Sequence, residues 1–370
     1  MKIKHCLILL NLLLPAVGLA APRLVYNGDT LQWNKEWKRK QCGTLDISKN
    51  IKEVSGIACS RVTPGYIWMQ SDDYESYIVA TTELGSERHC KVKFSKTIRW
   101  DWEDMSGGVY NDTNYLFIGA FGDNEETDGN YSIVYFKEPA IDASTPEITI
   151  EPNQIKYEYP DGKKHNAEAL MYDNVSQTIY IITKVYYNVC QVFSLPMRLD
   201  YGTETQTLTY VCDLGVRSDL GYSEKNQPYK GFHLVTAADI SPDGKYILIK
   251  NHNNIVASYS WILYWERMEG ETVEEALTRQ PQPLQCYMYE WQGEAICWLD
   301  DDTFYTTSDA DDGNPPIYKY TRQQPADIGN VQTISFEEGS KNTTLQLIGN
   351  NLYIRKKNMI YTVDGRLVQQ

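Results

Sequence analysis

The chain has 370 residues, of which 35 are lysine or arginine and 49 are aspartate or glutamate, so its formal net charge is −14. An acidic surface repels the phosphate backbone of nucleic acids, and a nucleic-acid partner is therefore not expected. Cations and neutral polar ligands suit this charge better. The 28 tyrosines and 9 tryptophans favour β-strands over helices.

The first 20 residues have the order of features found in a secretory signal peptide. Lys2, Lys4 and His5 precede an apolar run, and small residues end the segment at Ala20. The run is short and contains Pro15, which argues against a membrane anchor. No later stretch is long and apolar enough to span a bilayer. We therefore expect a soluble protein that is exported to the periplasm, the cell surface or the extracellular medium.

The cysteines that remain after the predicted cleavage are Cys42, Cys59, Cys90, Cys190, Cys212, Cys286 and Cys297. An exported protein can form disulfides, but an odd number leaves at least one thiol without an intramolecular partner. The sequence contains no C-x-x-C pair, so nothing supports a structural zinc site. Several of these cysteines lie in apolar, strand-like runs, where we expect them to act as small buried hydrophobic residues.

A hairpin pattern recurs five times within residues 21–330. Each copy has a polar or acidic residue, a short apolar strand, a turn, and a second strand that ends in polar residues. The copies begin at Val54, Trp102, Asn166, Thr236 and Gln292. Five such hairpins predict an all-β fold, namely a β-propeller of five or six blades. A β-sandwich is the alternative, although it would not need the same polar residue five times.

Three further elements lie outside the hairpins. The segment CGTLDI, which begins at Cys42, is predicted to close the ring against the last blade. The only plausible helix is ETVEEALTRQ, residues 271–280. Residues 331–370 form a predicted C-terminal β tail whose end, IYTVDGRLVQ, resembles the end of the sorting domains of type IX secretion substrates. An ordinary two-stranded closing element explains this tail equally well.

A hairpin places the residue before its first strand beside the residue after its second, so the polar residues of all copies should meet at one mouth of the channel. The residues that open the copies are Ser55, Glu103, Asp104, Glu168, Asp239 and Glu294. The residues that end them are Asp72, Asp73, Asp123, Asn124, Lys184, Lys250, His252 and Asp309. Two like charges ~4 Å apart repel by ~4 kcal/mol at an effective dielectric of ~20, so this ring needs compensation.

A bound cation, a shared proton or the lysines can supply that compensation. Oxygen-rich ligand sets favour Ca²⁺ over Mg²⁺. We predict a calcium site made by Glu103, Asp104, Asp123, Asp239, Glu294 and Asp309. Lys184 and Lys250 are expected either to pair with carboxylates or to hold an anionic substrate. The alternative is that these polar residues hydrate the channel and hydrogen-bond neighbouring blades without a ligand.

The sequence resembles a family of secreted bacterial propeller proteins. The matching segments are DWEDM, LFIGAFGDN, NAEALMYD, IYIITK, VTAADISPDGKYILIKNH and GEAI, within residues 50–320. The chain is similar to the proteins grouped as esterase-like activity of phytase and, more distantly, to calcium-dependent propeller phytases. The resemblance implies a propeller with an acidic central site and hydrolysis of esters or phosphoesters.

Two segments depart from the usual pattern of that family. GAFGDN replaces the common GDIGDN, and IKNH stands where a run of Arg-Thr-Tyr is common. The second departure puts in doubt any anionic-substrate role of that arginine. Lys250 is the candidate to take its place, but the two are not equivalent, because an ammonium group lacks the planar, bidentate donors of a guanidinium group.

Two hypotheses about function follow. The first is a metal-assisted hydrolase of esters or phosphoesters, whose catalytic group comprises Glu168, Lys184, Lys250 and His252. Glu168 is the candidate general base, because Lys184 lies opposite it in the same hairpin. The second is a non-catalytic propeller that binds a glycan or protein and holds a structural ion. In both we expect a monomer with a small-molecule or glycan ligand at the channel mouth.

Overall fold

The structure is a computed structural model of the whole chain. The residues that it describes are 23–72, 76–98, 101–142, 144–185, 189–218, 234–252, 260–287, 290, 292–309, 313–323, 332–334, 343–348, 351–356, 359–362 and 367–369. The predicted signal peptide, Asp73 and the side chain of Cys286 lie outside the described residues.

Five sheets form a ring, and the protein is an all-β, five-bladed β-propeller, which confirms the predicted fold class. We number the blades I to V along the chain and give their strands from the channel outwards. Blade I contains Val54–Cys59, Tyr66–Ser71, Tyr77–Thr82, Cys90–Phe94 and, in parallel, Glu147–Ile150. Blade II contains Trp102–Tyr110, Thr113–Ala120, Tyr131–Lys137, Asn153–Glu158 and, in parallel, Gln206–Thr207.

The other three blades are four-stranded. Blade III contains Ala167–Asp173, Thr178–Thr183, Gln191–Pro196 and Thr209–Asp213. Blade IV contains Leu234–Ile240, Tyr246–His252, Ser260–Glu266 and Gln282–Tyr287. Blade V contains Ala295–Asp300, Thr303–Thr307, Pro316–Arg322 and Trp37–Thr44. All five predicted hairpins therefore supply the two innermost strands of a blade.

The ring closes by pairing the two ends of the propeller. Trp37–Thr44 is antiparallel to Pro316–Arg322 and forms the outermost strand of blade V. We call Trp37–Thr44 the closing strand. It contains Cys42, so the predicted role of this segment in ring closure is confirmed.

The remaining elements lie outside the blades. A helix spans Val273–Leu277, within the predicted segment, and begins with a capping box between Thr272 and Glu275. One small sheet contains Val216–Ser218, Leu24–Tyr26 and Asp29–Thr30. A C-terminal antiparallel sheet contains Gln332–Ile334, Thr343–Ile348, Asn351–Lys356, Met359–Thr362 and Leu367–Gln369. Within the described ranges, no helix is long and apolar enough to cross a membrane.

Apolar side chains fill each of the five seams between neighbouring blades. Trp68 and Trp102, for example, are both fully buried in the seam between blades I and II. Five of the six described cysteines are buried, as expected for small hydrophobic residues. Burial of apolar area contributes ~25 cal/mol per Å², so these seams are the main source of stability.

Near the channel mouth, the two innermost strands of blades I to IV contain a bulge. The residues left out of the pairing register are Ser55, Glu103 with Asp104, Glu168 and Thr236. A bulge re-aims the side chain of its extra residue, which explains why these positions carry polar groups at the channel. In blade IV this position is occupied by Thr236, whereas Asp239, which the sequence suggested, lies three residues further along the strand.

The first prediction concerns the close approach of blades I and II. A Cβ atom at Gly56 would lie 2.5 Å from the Met105 nitrogen and 2.8 Å from the Asp104 carbonyl carbon. Because both contacts are with backbone, we expect Gly56→Ala to lower the free energy of unfolding by ~1–3 kcal/mol in denaturant titrations.

Gly107→Ala is the matched control, because a Cβ atom at Gly107 would meet its nearest neighbours at 3.8 Å. It should change stability little. Equal effects of the two substitutions would contradict the inferred tight contact between the innermost strands.

Candidate active site

One mouth of the channel gathers acidic side chains around a single lysine. We call this group the mouth cluster; its members are Asp72, Glu103, Glu168, Lys184, Glu294 and Asp309, from blades I, II, III and V. Five of the six are at most 9% exposed, and Asp72 is half-buried. The structure thus brings together side chains that lie up to 237 positions apart in the sequence, Asp72 and Asp309 being the extremes.

Lys184 and Glu168 form the central ion pair of this cluster. Lys184 Nζ lies 2.5 Å from Glu168 Oε2, and both side chains are buried. Asn166 Nδ2 donates to the other oxygen of Glu168 at 3.3 Å, and the Lys184 backbone N–H donates to the Asn166 carbonyl at 2.9 Å. Burial lowers the pKa of Lys184, but the charges of Glu168, Glu294 and Glu103 outweigh it and hold that pKa above its usual value. Lys184 is therefore a permanent cation.

The carboxyl groups around this ion pair favour the protonated form. Burial, reinforced by the charges of Glu168 and Asp72, holds the pKa of Glu103 well above its usual value. Burial also raises the pKa of Glu294 strongly, although Lys184 opposes the shift. Burial and the charge of Asp309 raise the pKa of Asp72 to about 8. The cluster therefore combines a charged pair with carboxyl groups whose pKa values are raised, which favours a role as proton donors.

His252 lies beside the cluster, at the end of the second strand of blade IV. Burial lowers its pKa well below the usual value, and the charges of Lys184 and Lys250 add to that effect, so its ring is neutral at pH 7. Its Nδ1 atom is buried and has no hydrogen-bond partner among the described residues. The same holds for Asp72 Oδ1 and Ser308 Oγ, which also lie at second-strand ends. Such a concentration of unsatisfied polar atoms is uncommon in native interiors and points to a functional region.

Backbone strain also collects at this mouth. Glu53, Asp101 and Gln292 have positive φ values of 48°, 80° and 44°. Each lies two residues before a channel residue of its blade, and non-glycine residues in this conformation cluster at functional sites. Gln292 also contributes directly, since its Nε2 donates to Asp309 Oδ2 at 2.5 Å.

Gly122 is a site residue that sequence reasoning missed. A Cβ atom there would lie only 2.0 Å from Glu103 Oε1, so the missing side chain makes room for the glutamate. Gly122 belongs to the segment GAFGDN. The sequence feature that could have identified it is its position two residues after the end of the second strand of blade II. The sequence shows a glycine at this position, but only the fold shows that this glycine lies against Glu103.

Asp104 and Asp239, two of the predicted calcium ligands, lie further along the channel and bind backbone groups. Asp104 Oδ2 accepts from the backbone nitrogens of Leu170 and Ala238, both at 2.9 Å. Asp239 Oδ2 accepts from the Trp298 nitrogen at 2.8 Å. These carboxylates connect the innermost strands of different blades across the channel.

Asp123, a third predicted ligand, organises the turn that follows it. Its oxygens accept from the backbone nitrogens of Thr127, Asp128 and Gly129, and from Tyr131 Oη at 2.8 Å. Burial raises the pKa of Asp123, but these hydrogen bonds outweigh burial and lower it overall. The side chain is thus engaged within its own loop.

Lys250, which the sequence placed in the catalytic group, is fully buried. Its Nζ atom lies 2.6 Å from Glu290 Oε2 and 3.1 Å from the Thr307 carbonyl. Arg39 of the closing strand binds the other oxygen of Glu290 at 3.0 Å. Lys250 therefore belongs to a buried ion-pair network that joins blades IV and V to the closing strand.

The described side chains do not fit the predicted calcium ion. Among them, no three His, Cys, Asp or Glu side chains are arranged to hold a metal. Lys184 already places a cation among Glu168, Glu294 and Glu103, and three other predicted ligands bind protein groups. The calcium site stays a prediction, and a melt with calcium tests it below.

A cavity of about 710 Å³ opens beside the ion pair. Its lining includes Lys184 and Asn166 from the site, together with Asn124, Lys163, His165 and Gln191. The volume is in the range of small-molecule sites. The cavity therefore places a space for a small ligand next to Lys184.

The raised pKa of Asp72 predicts how the stability of the protein depends on pH. Because this pKa is about 8 in the fold and ~3.9 in an unfolded chain, the native state binds the extra proton between these values. The free energy of unfolding must therefore fall as pH rises through this interval. We expect the thermal midpoint to drop from about pH 5 to about pH 8, and Asp72→Asn to reduce the drop.

Asp200→Asn is the control, because Asp200 is an exposed carboxylate that pairs with Arg198 and does not belong to the mouth cluster. It should keep the wild-type pH dependence. A midpoint that rises over this range, or an undiminished drop in Asp72→Asn, would contradict the assignment.

The second prediction from the site concerns divalent ions. With Lys184 in place, melts of the full chain in chelator and in graded calcium should have the same midpoint. A ligand bound only by the native state adds ~2.7 kcal/mol of stability at a hundredfold excess over its dissociation constant, which such melts detect. A calcium-dependent rise that disappears in Glu103→Gln would instead support the calcium site predicted from the sequence.

No known family model matches the chain, and neither does any curated protein. A gluconolactonase from Xanthomonas campestris aligns with a TM-score of 0.39 and 9% identity, over 82% of this chain and 96% of its own. Raptor from Chaetomium thermophilum gives a TM-score of 0.40 at 8% identity, over 78% of this chain and 29% of its own. A puromycin-hydrolysing peptidase of Mycobacterium tuberculosis aligns with a TM-score of 0.34 and 11% identity, over 91% of this chain and 50% of its own. Similarity this low carries no argument about function, and membership of the phytase-related family stays a prediction.

Proposed function

We propose that the protein is a hydrolase that cleaves a neutral ester or lactone at the channel mouth. The observation that supports this most directly is the buried Lys184–Glu168 ion pair, which lies among carboxylic acids of raised pKa. Groups whose environments push their protonation states apart are typical of acid–base catalysis. A cavity of small-molecule size, which Lys184 and Asn166 help to line, lies beside this pair.

Each group then has a role that its charge allows. Glu168, held by Lys184 and Asn166, accepts a proton from the attacking water. The ammonium group of Lys184 stabilises the negative charge that develops on the carbonyl oxygen. Glu294 or Glu103, whose pKa values are raised by burial, donates a proton to the departing oxygen. The water oxygen bonds to the carbonyl carbon as the ester bond breaks, so the products are an acid and an alcohol.

The charge of the site favours a neutral substrate. One ammonium group faces five carboxyl groups, and ionised members of the cluster would repel a phosphoester. The resemblance to esterase-like proteins supports ester chemistry, and its phosphoester branch would need an additional cation at this site. A neutral ester or lactone needs none.

Glu168→Gln tests the proposal, because it removes the base while keeping the size and the contact with Asn166. We expect kcat for a neutral nitrophenyl ester or an aliphatic lactone to fall by ~10²–10⁴-fold, with circular dichroism unchanged. The charged analogue nitrophenyl phosphate should be a poor substrate of the wild type. Release of nitrophenol and of acid gives the rates.

Glu151→Gln is the matched control, since Glu151 is a largely exposed carboxylate outside the cluster. It should leave the rate unchanged. Wild-type protein that turns over no ester or lactone, or a Glu168→Gln variant with full activity, would overturn the proposal. In that case the binding hypothesis from the sequence becomes the leading one, and glycans should be tested as ligands.

A further inference from the structure

Two buried cysteines meet where the ring closes. Cys59 is the last residue of the innermost strand of blade I, and Cys297 lies in the innermost strand of blade V. Their Sγ atoms are 3.4 Å apart, and the residues are 7% and 1% exposed. Both belong to the apolar cluster that fills the seam between the first and last blades. The proposed hydrolase does not use either thiol.

We propose that Cys59 and Cys297 form a disulfide that closes the propeller covalently. An S–S bond is ~2.05 Å long, so the sulfur atoms must approach by a little more than 1 Å. The proposal requires rotation of the two side chains between innermost strands that already contact each other across the seam. The bond would join residues 238 positions apart, which are already neighbours across the seam.

The reaction needs an oxidant, and a disulfide-containing thiol oxidant such as oxidised glutathione or a thiol–disulfide oxidoreductase supplies it. One cysteine thiolate attacks the oxidant disulfide, giving a mixed disulfide and one released thiol. The second cysteine thiolate then attacks the mixed disulfide at the protein sulfur and displaces the second thiol. Two electrons and two protons thus pass from the cysteines to the oxidant.

The surroundings determine when this exchange takes place. Burial, together with the neighbouring sulfur, raises the pKa of Cys297 well above its usual value, which suppresses the reactive thiolate in the finished fold. The bond therefore forms while the seam between blades I and V is still open. Once formed, it is shielded from reducing thiols by the same apolar side chains.

Cys42 is the most informative competitor. It lies in the closing strand at the edge of the same seam and contacts the Ile317 carbonyl at 3.3 Å. Unlike the other two cysteines it is only partly buried. Substitution of Cys42 distinguishes a specific Cys59–Cys297 disulfide from non-specific oxidation of the cysteines at this end of the ring.

The experiment uses the full chain, unfolded under reducing conditions and refolded either in a glutathione redox buffer or in dithiothreitol. After alkylation, intact mass and peptide mapping identify the disulfide. We expect a Cys59–Cys297 cross-linked peptide only from the oxidised sample, and a thermal midpoint several degrees higher than in the reduced sample. This comparison needs no substitution and therefore does not depend on whether a variant folds.

Cysteine variants then test whether the cross-link and the higher thermal midpoint come from Cys59 and Cys297. Cys59→Ser and Cys297→Ser should each lose the cross-link and the difference between oxidised and reduced midpoints, whereas Cys42→Ser should keep both. The proposal is overturned if both thiols remain alkylated after oxidative refolding. It is equally overturned if Cys59 or Cys297 pairs with another cysteine, or if oxidation leaves the midpoint unchanged.

Discussion

The structure depends on how the innermost strands satisfy their backbone groups at the channel. Each innermost strand is an edge strand of its sheet, so N–H groups on its channel side are not used in the ladder, and burying them unpaired is costly. Asp104 accepts from the innermost strands of blades III and IV, and Asp239 accepts from that of blade V. A hydrogen bond of this kind contributes ~0.5–1.5 kcal/mol net, and leaving a buried donor unpaired costs ~1–3 kcal/mol. Two carboxyl groups thereby connect four blades. They hold the innermost strands, which carry the residues of the mouth cluster, in their relative positions.

The adjacent carboxylates Glu103 and Asp104 show how these connections and the candidate site share one bulge. The bulge leaves both residues out of the pairing register, which allows both to serve the channel. Asp104 connects backbones along the channel, whereas Glu103 joins the mouth cluster against Gly122. A one-residue change in register would exchange these environments. The acidic site therefore cannot be separated from the packing that holds the blades together.

The sequence predicted those features that arise within a single hairpin. Lys184 and Glu168 face each other across one turn, and their pairing follows from the strand pattern alone. The sequence did not predict contacts in which a side chain binds a partner from another blade. Asp104 binds Leu170 and Ala238, which are 66 and 134 positions away, and its role looked like that of a metal ligand. The ion-pair partner of Lys250 is Glu290, which lies outside the recurring pattern, so a lysine expected at the mouth belongs to a structural network.

The closing strand has a consequence for biosynthesis. Its Cys42 sulfur meets the carbonyl of Ile317, which is 275 positions later in the chain. A ribosome therefore makes the outer strand of blade V before the other strands of the blades, and that strand has no partner until the strands of blades I to IV have been made. During this interval Trp37, buried in the finished fold, is exposed to the solvent or to a chaperone. Blades I to IV can form as they emerge, but the last blade is assembled from both ends of the propeller and is completed only once Pro316–Arg322 has been made.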